Sequence, residues 1–247
     1  MGLKYSRVYC GERIFKMSRI VAIGGGFGGK YADYLVRHIL SLCEKEKPNF
    51  LTIPTTTYDN FDTSMYSRFF NWGCEVDALF VTRDYVTEER IAEKIRKADV
   101  IHVPGGNLRF VSEMWRRYHV DKYLREAAES GKVLFGASSG SMCWFAEGYD
   151  DCGPENEFMF VDCLGLLPYC NCPHYDSESW QSFNDVVRSR KLSSIACEND
   201  AAICFVDDKR YILHSPERVD ARCWFFDAED DYRRIDLDAH PEVLERL

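Results

Sequence analysis

A single stretch, Val133-Leu134-Phe135-Gly136-Ala137-Ser138-Ser139-Gly140, joins a run of apolar residues to a turn made of glycine and serine. The turn fits the pattern G-x-S-x-G. An apolar strand precedes it, and a helix is predicted after it over 141–146, which is the context of a nucleophile elbow. The flanking glycines permit a strained turn that lifts a serine hydroxyl above the edge of a sheet. The stretch therefore indicates an α/β protein in which Ser138 is a nucleophile.

Strands and helices alternate on both sides of this stretch. Helices are predicted over 31–42, 61–72, 87–96 and 115–128, and strands over 18–23, 50–53, 75–81, 99–103 and 132–135. Such alternation is typical of βαβ units that build a parallel sheet. After about residue 192, short strands at 195–197, 201–206, 211–214 and 222–226 predict an antiparallel extension of that sheet. We expect one α/β domain over 18–247, preceded by an N-terminal extension, 1–17, whose last residue, Met17, is an alternative start.

The charge balance bears on the partners and on the compartment. The chain has 31 basic and 40 acidic side chains, a net charge of −9. Nucleic acids and anionic membranes both attract clustered Lys and Arg, so neither is expected as a partner. No apolar run is long enough for a membrane span or a signal peptide, so we expect a cytoplasmic protein. The eleven cysteines are then expected to be free thiols.

Two motifs suggest bound groups that the chain is not expected to hold. The cluster Cys163, Cys170, Cys172 and His174 lacks the CxxC pairs of structural zinc sites. The run 24–29 fits G-x-G-x-x-G, but the strand that would hold a ribose ends at 53–56 without a carboxylate. We therefore predict neither a metal nor an organic cofactor, and we expect these glycines to let the first turn lie close to neighbouring loops.

A serine nucleophile needs a base and a site for the developing oxyanion. His174 lies in the loop Cys172-Pro173-His174-Tyr175-Asp176, where proline restricts the backbone and the imidazole can be aimed at Ser138. The other five histidines lie in predicted helices or strands or lack a supporting motif. For the oxyanion, we expect the backbone amide of Ser139 together with the turn Gly105-Gly106-Asn107, which ends a strand at the same sheet edge.

Four segments in this order resemble a known family: 20–26, 103–107, 136–145, and 164–167 leading to 173–176. They resemble the serine peptidases of the aspartyl dipeptidase (peptidase E) and cyanophycinase family. The resemblance covers roughly 18–226 and implies a flavodoxin-like, three-layer α/β sandwich related to class I glutamine amidotransferases. It further implies a peptidase without metal or organic cofactor, in which Ser138 is the nucleophile and His174 the base.

Three carboxylates are candidates for the group that orients His174. Glu198 follows the apolar strand 195–197, and the resemblance places a glutamate there. Asp150 and Asp151 lie about a dozen residues after Ser138. A carboxylate at a strand end is held more rigidly than one in a polar loop, so Glu198 is favoured over Asp151, and Asp150 comes third. We expect the Glu198 carboxylate within about 3.2 Å of a His174 ring nitrogen.

Two positions depart from the family pattern. The family reads Ser-Ala-Gly from the nucleophile onward, whereas this chain has Ser138-Ser139-Gly140. Aspartyl dipeptidase also recognises the substrate aspartate through an arginine a few residues beyond the base, and the stretch 177–181 contains none. Arg188 and Arg190 come later and are candidate substitutes. Because an arginine–carboxylate pair is hard to replace with uncharged groups, we expect Asp-Xaa dipeptides to be unexceptional substrates.

The resulting hypothesis is a cytoplasmic serine hydrolase whose partner is a small peptide substrate, with a homodimer left open. One alternative is an esterase of the α/β-hydrolase type, but there the histidine lies near the C-terminus and here more than seventy residues follow His174. A second alternative is a non-catalytic binding module on the same fold. The serine and histidine motifs favour the enzyme.

Overall fold

The structure, a computed structural model, describes residues 18–83 and 85–247. The predicted N-terminal extension and the alternative start at Met17 lie outside this part of the chain. Within it, no helix is long and apolar enough to cross a membrane.

The first of two sheets has seven strands in the order β11-β10-β1-β5-β4-β2-β3. Five strands, β1, β5, β4, β2 and β3, run parallel to one another. Strands β10 and β11 extend the sheet beyond β1 in antiparallel fashion. The strands are β1 (Arg19–Ile23), β2 (Asn49–Thr52), β3 (Glu75–Ala78), β4 (Val100–Val103), β5 (Val133–Ala137), β10 (Ala201–Val206) and β11 (Lys209–His214).

The second sheet has six strands in the order β13-β12-β9-β8-β6-β7. Its central strands β6, β8 and β9 run parallel, and β7, β12 and β13 pair in antiparallel fashion at its edges. The strands are β6 (Phe145–Asp150), β7 (Met159–Asp162), β8 (Leu167–Cys172), β9 (Ser194–Cys197), β12 (Cys223–Asp227) and β13 (Arg233–Asp236).

Eight α-helices are described in residues 18–83 and 85–247. Three of the longer ones begin with a side-chain cap; in the third helix, for example, Thr87 Oγ1 accepts the Arg90 amide at 3.3 Å. The helices are α1 (Ala32–Ser41), α2 (Thr63–Asn71), α3 (Glu88–Lys97), α4 (Leu108–Arg117), α5 (Val120–Glu129), α6 (Ser139–Met142), α7 (Phe183–Val186) and α8 (Pro241–Leu244).

The two sheets meet where the chain passes from β9 to β10 through residues 198–200. The Gly24 amide after β1 donates to Ala201 O at 3.0 Å, and the Asp200 amide donates to Gly25 O at 2.8 Å. The His174 amide after β8 donates to Gly24 O at 3.0 Å. The carboxyl ends of β1 and β5 in one sheet and of β8 and β9 in the other therefore converge on one corner of the molecule.

The predicted α/β class is confirmed, and so is the antiparallel addition of β10 and β11. Three details of the prediction were wrong. The helix expected over 115–128 is two helices, α4 and α5, because His119 between them has a left-handed φ of 58°. The helix expected over 141–146 ends at Met142, and the chain enters β6 at Phe145. The strands at 195–197 and 222–226 belong to the second sheet, which the sequence analysis did not foresee.

Candidate active site

Ser138 lies at the junction between β5 and α6, in the strained turn that the sequence motif predicts. Its φ and ψ are 56° and −129°, a conformation that L-residues rarely adopt. The Ser138 amide donates to Ile23 O at 3.1 Å, and Ser141 Oγ donates to Ser138 O at 2.7 Å. Among the described residues, the half-buried Ser138 hydroxyl has no hydrogen-bond partner. The turn is thus fixed through its backbone, and the hydroxyl is left available.

His174 follows β8 and has a left-handed φ of 51°. Its Nδ1 lies 2.7 Å from Asn199 Oδ1, and the indole of Trp180 packs beside the imidazole with 5.2 Å between ring centroids. Because β8 and β9 are parallel neighbours, the residues that follow them emerge at the same edge. This strand pairing is what places Asn199 against His174.

The hydrogen bonds of Asn199 determine which nitrogen of His174 carries a proton. Asn199 Nδ2 and the Asn199 backbone amide both lie 2.8 Å from Asp176 Oδ1, which as a carboxylate oxygen can only accept. The amide group is therefore oriented with Oδ1 toward His174. Since Oδ1 is an acceptor, Nδ1 must be the donor, and the neutral imidazole then has its lone pair on Nε2. Asp176 and Asn199 together prepare Nε2 to act as a base.

Gly25 allows this close approach of three segments. It has a φ of 156°, and a Cβ atom built on it would lie 2.1 Å from Asn199 Oδ1 and 2.6 Å from His174 Nδ1. No side chain can occupy such a position without displacing the imidazole. The glycine-rich run therefore lets the first turn lie close to neighbouring loops, as expected.

Three backbone amides near Ser138 are available for an oxyanion. The amides of Gly105, Gly106 and Ser139 donate to no protein atom within the described part of the chain. A Cβ atom built on Gly105 would lie 3.2 Å from the Ser138 Cβ, so the turn after β4 contacts the nucleophile directly. The side chain of Asn107 serves another purpose, because its Oδ1 accepts the Phe110 amide at 2.8 Å and caps α4.

The expected hydrogen bond between Glu198 and His174 is not formed. Glu198 Oε2 accepts the Arg222 amide at 3.0 Å, and Oε1 accepts the indole N–H of Trp224 at 2.9 Å. Consecutive side chains at a strand end point in opposite directions, so Glu198 is directed toward β12 and Asn199 toward His174. The other proposed acid, Asp151, is exposed and forms no hydrogen bond with His174.

Asp150, the third candidate acid, is 1 % exposed, and its hydrogen-bond contacts are with the start of α4 and with Ser139. Its Oδ2 accepts the Leu108 amide at 3.0 Å and contacts Ser139 Oγ at 3.3 Å. Burial raises the pKa of this carboxyl to about 6, although the hydrogen bond from the Leu108 amide opposes the rise. The buried acid therefore contacts the residue after the nucleophile and the first residue of α4.

The two arginines considered as substitutes for substrate recognition are engaged elsewhere. Arg188 pairs with Asp231 at 3.2 Å, and Arg190 binds the buried Glu147 carboxylate through Nε at 2.8 Å and through Nη2. Nearer the base, a third arginine, Arg218, lies 3.8 Å from Asp176 Oδ2. The stretch 177–181 contains no cationic side chain. Within it, the indole of Trp180 occupies the position beside His174.

Asn199 and Asp176 were missed as site residues by the sequence analysis. Asn199 is one residue after Glu198, and Asp176 is two residues after His174. The missing information was the direction of the side chains that follow β8 and β9. No group of three or more His, Cys, Asp or Glu residues suited to a metal ion occurs in residues 18–83 and 85–247.

Comparison with known proteins places these features in a family. A model of peptidase family S51 matches residues 20–213. The chain is 31 % identical over 203 residues to the uncharacterized peptidase YgaJ of Bacillus subtilis (strain 168). That match covers 79 % of this chain and 86 % of the relative. It is 28 % identical to peptidase E of Pasteurella multocida (strain Pm70), over 51 % of this chain and 54 % of that protein.

The fold has a solved counterpart at low sequence identity. The crystal structure of a peptidase from an acI-B1 actinobacterium superposes with a TM-score of 0.67. The match covers 89 % of this chain and 94 % of that one, at 17 % identity. The two chains therefore share an architecture.

Proposed function

The chain belongs to peptidase family S51, and we propose that it is a serine-type peptidase that cleaves small peptides in the manner of peptidase E. The observation that supports this most strongly is the pairing of His174 Nδ1 with Asn199 Oδ1 at the corner where the Ser138 elbow ends. This pairing leaves Nε2 as a base, and a base is what a serine hydroxyl requires.

In the proposed reaction, Ser138 Oγ attacks the carbonyl carbon of the peptide bond while its proton passes to His174 Nε2. The negative charge that develops on the carbonyl oxygen is stabilised by the amides of Ser139, Gly105 and Gly106. The imidazolium then donates its proton to the leaving amine, and a water molecule releases the acyl group through the same base. Asn199, backed by the Asp176 carboxylate, holds the imidazole in position and stabilises its positive charge. In this scheme Glu198 and Asp151 have no direct part.

The proposed compartment is the cytoplasm. All ten cysteines in the described residues are free thiols. Burial is the main cause that raises the pKa of nine of them above the ordinary range. Buried thiols of this kind act as small apolar side chains and suit a reducing environment.

The test is labelling with a fluorophosphonate probe, combined with digestion of a library of small peptides. The wild-type protein should be labelled and should cleave peptides. The Ser138→Ala variant should melt within a few degrees of wild type, escape labelling and lose activity by roughly 10⁴-fold or more. Ser130→Ala, an exposed serine at the end of α5, is the matched control and should behave as wild type. Retention of more than about a tenth of the activity in Ser138→Ala would contradict the assignment.

The same experiment separates the proposed function from its alternatives. An esterase would hydrolyse simple esters but leave the peptide library intact, and a binding module would be neither labelled nor active. Within the library, Asp-Xaa dipeptides should not exceed other substrates, because Arg188 and Arg190 are paired with carboxylates elsewhere. A marked preference for Asp-Xaa would instead direct attention to Arg218.

A further inference from the structure

The turn 104–107 is held by hydrogen bonds at Pro104 O, Gly106 O and the Asn107 amide. Thr56 Oγ1 donates to Pro104 O at 2.9 Å, and the Asn107 amide donates to Thr56 O at 2.8 Å. Ser139 Oγ donates to Gly106 O at 2.7 Å. The amides of Gly105 and Gly106 are left without a protein partner among the described residues. The turn is thus fixed from both sides, and these two N–H groups remain available as hydrogen-bond donors.

One of these constraints comes from the elbow itself. The Ser139 hydroxyl has a single proton, and its shorter contact goes to Gly106 O, while Asp150 Oδ2 lies 3.3 Å away on its other side. Asp150 Oδ2 also accepts the Leu108 amide, the first amide after the turn. The buried carboxyl therefore anchors the downstream end of the turn through the Leu108 amide, and it contacts the Ser139 hydroxyl that donates to Gly106 O.

A carboxyl group that is 1 % exposed is costly to keep in a protein interior. An apolar residue would pack there at lower cost, so its presence calls for a role beyond packing. Its contacts join three segments: the end of β6, the residue after the nucleophile, and the start of α4. Together these segments set the distance between the Ser138 elbow and the Gly105–Gly106 amides.

We propose that Ser139 and Asp150 are positioning residues, which fix the Gly105 and Gly106 amides at the place where the oxyanion forms. This inference rests on the proposed serine-peptidase function. Neither side chain touches the reacting atoms: Asp150 acts on Ser139 and Leu108, and Ser139 acts on Gly106. Loss of either contact should loosen the turn and misplace the amides, while leaving Ser138 and His174 intact.

The experiment measures the rate of Ser138 labelling by an ethyl fluorophosphonate over a range of probe concentrations, because the phosphoryl oxygen occupies the oxyanion position. In Ser139→Ala, the maximal labelling rate should fall about tenfold, since a misplaced donor costs less than the 10²- to 10³-fold of a deleted one. The half-saturating concentration should stay within about twofold. Ser112→Ala, another buried serine, on α4 and away from the turn, is the control and should label as wild type.

Asp150→Asn provides a second variant, which keeps the shape of the side chain if Ser139→Ala should fail to fold. It should lower the maximal rate as well, and the double variant should be no slower than the slower single variant, because both changes break one link. Labelling of both single variants within twofold of wild type would overturn the inference alone. Independent effects that multiply in the double variant would also overturn it. An unlabelled wild-type protein would instead overturn the proposed function, and this inference with it.

Discussion

Asn199 holds the Nδ1 side of the His174 imidazole, opposite the proposed basic nitrogen Nε2. Its carbonyl oxygen is less basic than a carboxylate, but Asp176 Oδ1 polarises it from behind at 2.8 Å. This arrangement separates the negative charge of Asp176 from the His174 imidazole by one intervening side chain, in place of direct contact.

We expect Asn199→Ala to lower kcat by about 100-fold, because the imidazole loses both its fixed tautomer and the stabilisation of its charge. Glu198→Gln is the matched control at the neighbouring position, and it should retain near-normal turnover. Steady-state kinetics on the best library peptide would measure both. The assignment would have to be reversed if Glu198→Gln proved the more damaging change.

Asp150 gives the stability of the protein a characteristic pH dependence. Burial raises the pKa of Asp150 to about 6, whereas the unfolded chain releases this proton near pH 3.8. A raised carboxyl pKa means that this group favours the folded state most at low pH, and that this contribution is lost as pH rises from about 4 to 6. A shift of about two pKa units corresponds to about 3 kcal/mol.

Asp150→Asn removes this titration. The free energy of unfolding of the variant, relative to wild type, should therefore increase by up to about 3 kcal/mol between pH 4 and pH 7. Urea unfolding at several pH values measures it. A constant difference between Asp150→Asn and wild type would show that the carboxyl titrates normally in the folded protein.

At the scale of elements, α6 packs directly on the end of β4. A Cβ atom built on Gly140 would lie 2.0 Å from Val103 O, which is closer than any real contact. The added Cβ would be bonded directly to the backbone, and Val103 O is a backbone atom. Neither atom can therefore move aside by rotation of a side chain. The elbow helix can therefore approach the sheet only with glycine at this position.

Gly140→Ala should lower the free energy of unfolding by at least about 2 kcal/mol, because α6 or the end of β4 must move. Gly28→Ala is the matched control: it is exposed, has an ordinary φ of −85°, and has no atom within 4 Å of an added Cβ. It should change stability by no more than about 0.5 kcal/mol. Equal effects of the two substitutions in urea titrations would refute this account of the packing.

The sequence predicted some elements well because their signals are local. The strand before Ser138 and the capped helix after Thr87 each depend on neighbouring residues alone. The strand β6 was missed because Phe145 to Asp150 follow a motif that usually opens a long helix, and their burial depends on a second sheet formed much later in the chain. The hydrogen-bond partner of His174 differs from the expected one for a related reason: Glu198 and Asn199 are adjacent, and the pairing of β9 with β12 decides which one faces the imidazole.

At the scale of the whole molecule, one hydrophobic core connects the two sheets. A single cluster of buried residues contains Ile20 and Leu134 of the first sheet together with Phe225 and Ile235 of the second. Trp115 and Trp144 lie within it, with 6.3 Å between ring centroids. Neither sheet can lose its packing without exposing part of the other.

We therefore expect the protein to unfold in a single cooperative transition. Near-UV circular dichroism, which follows aromatic packing, and far-UV circular dichroism, which follows the backbone, should give the same denaturant midpoint. Phe225→Ala, in the second sheet, should shift both curves together. Separate midpoints for the two signals would mean that one sheet can persist without the other.

The packing of Trp180 against His174 also makes the protonation of the imidazole detectable by tryptophan fluorescence. A protonated imidazole quenches the fluorescence of an indole that it contacts, whereas the neutral ring does so much less. The emission of Trp180 should thus dim as His174 gains a proton, and the difference spectrum between wild type and Trp180→Phe isolates it from the other tryptophans. The protonation state of His174 could then be followed in the resting protein, without a substrate.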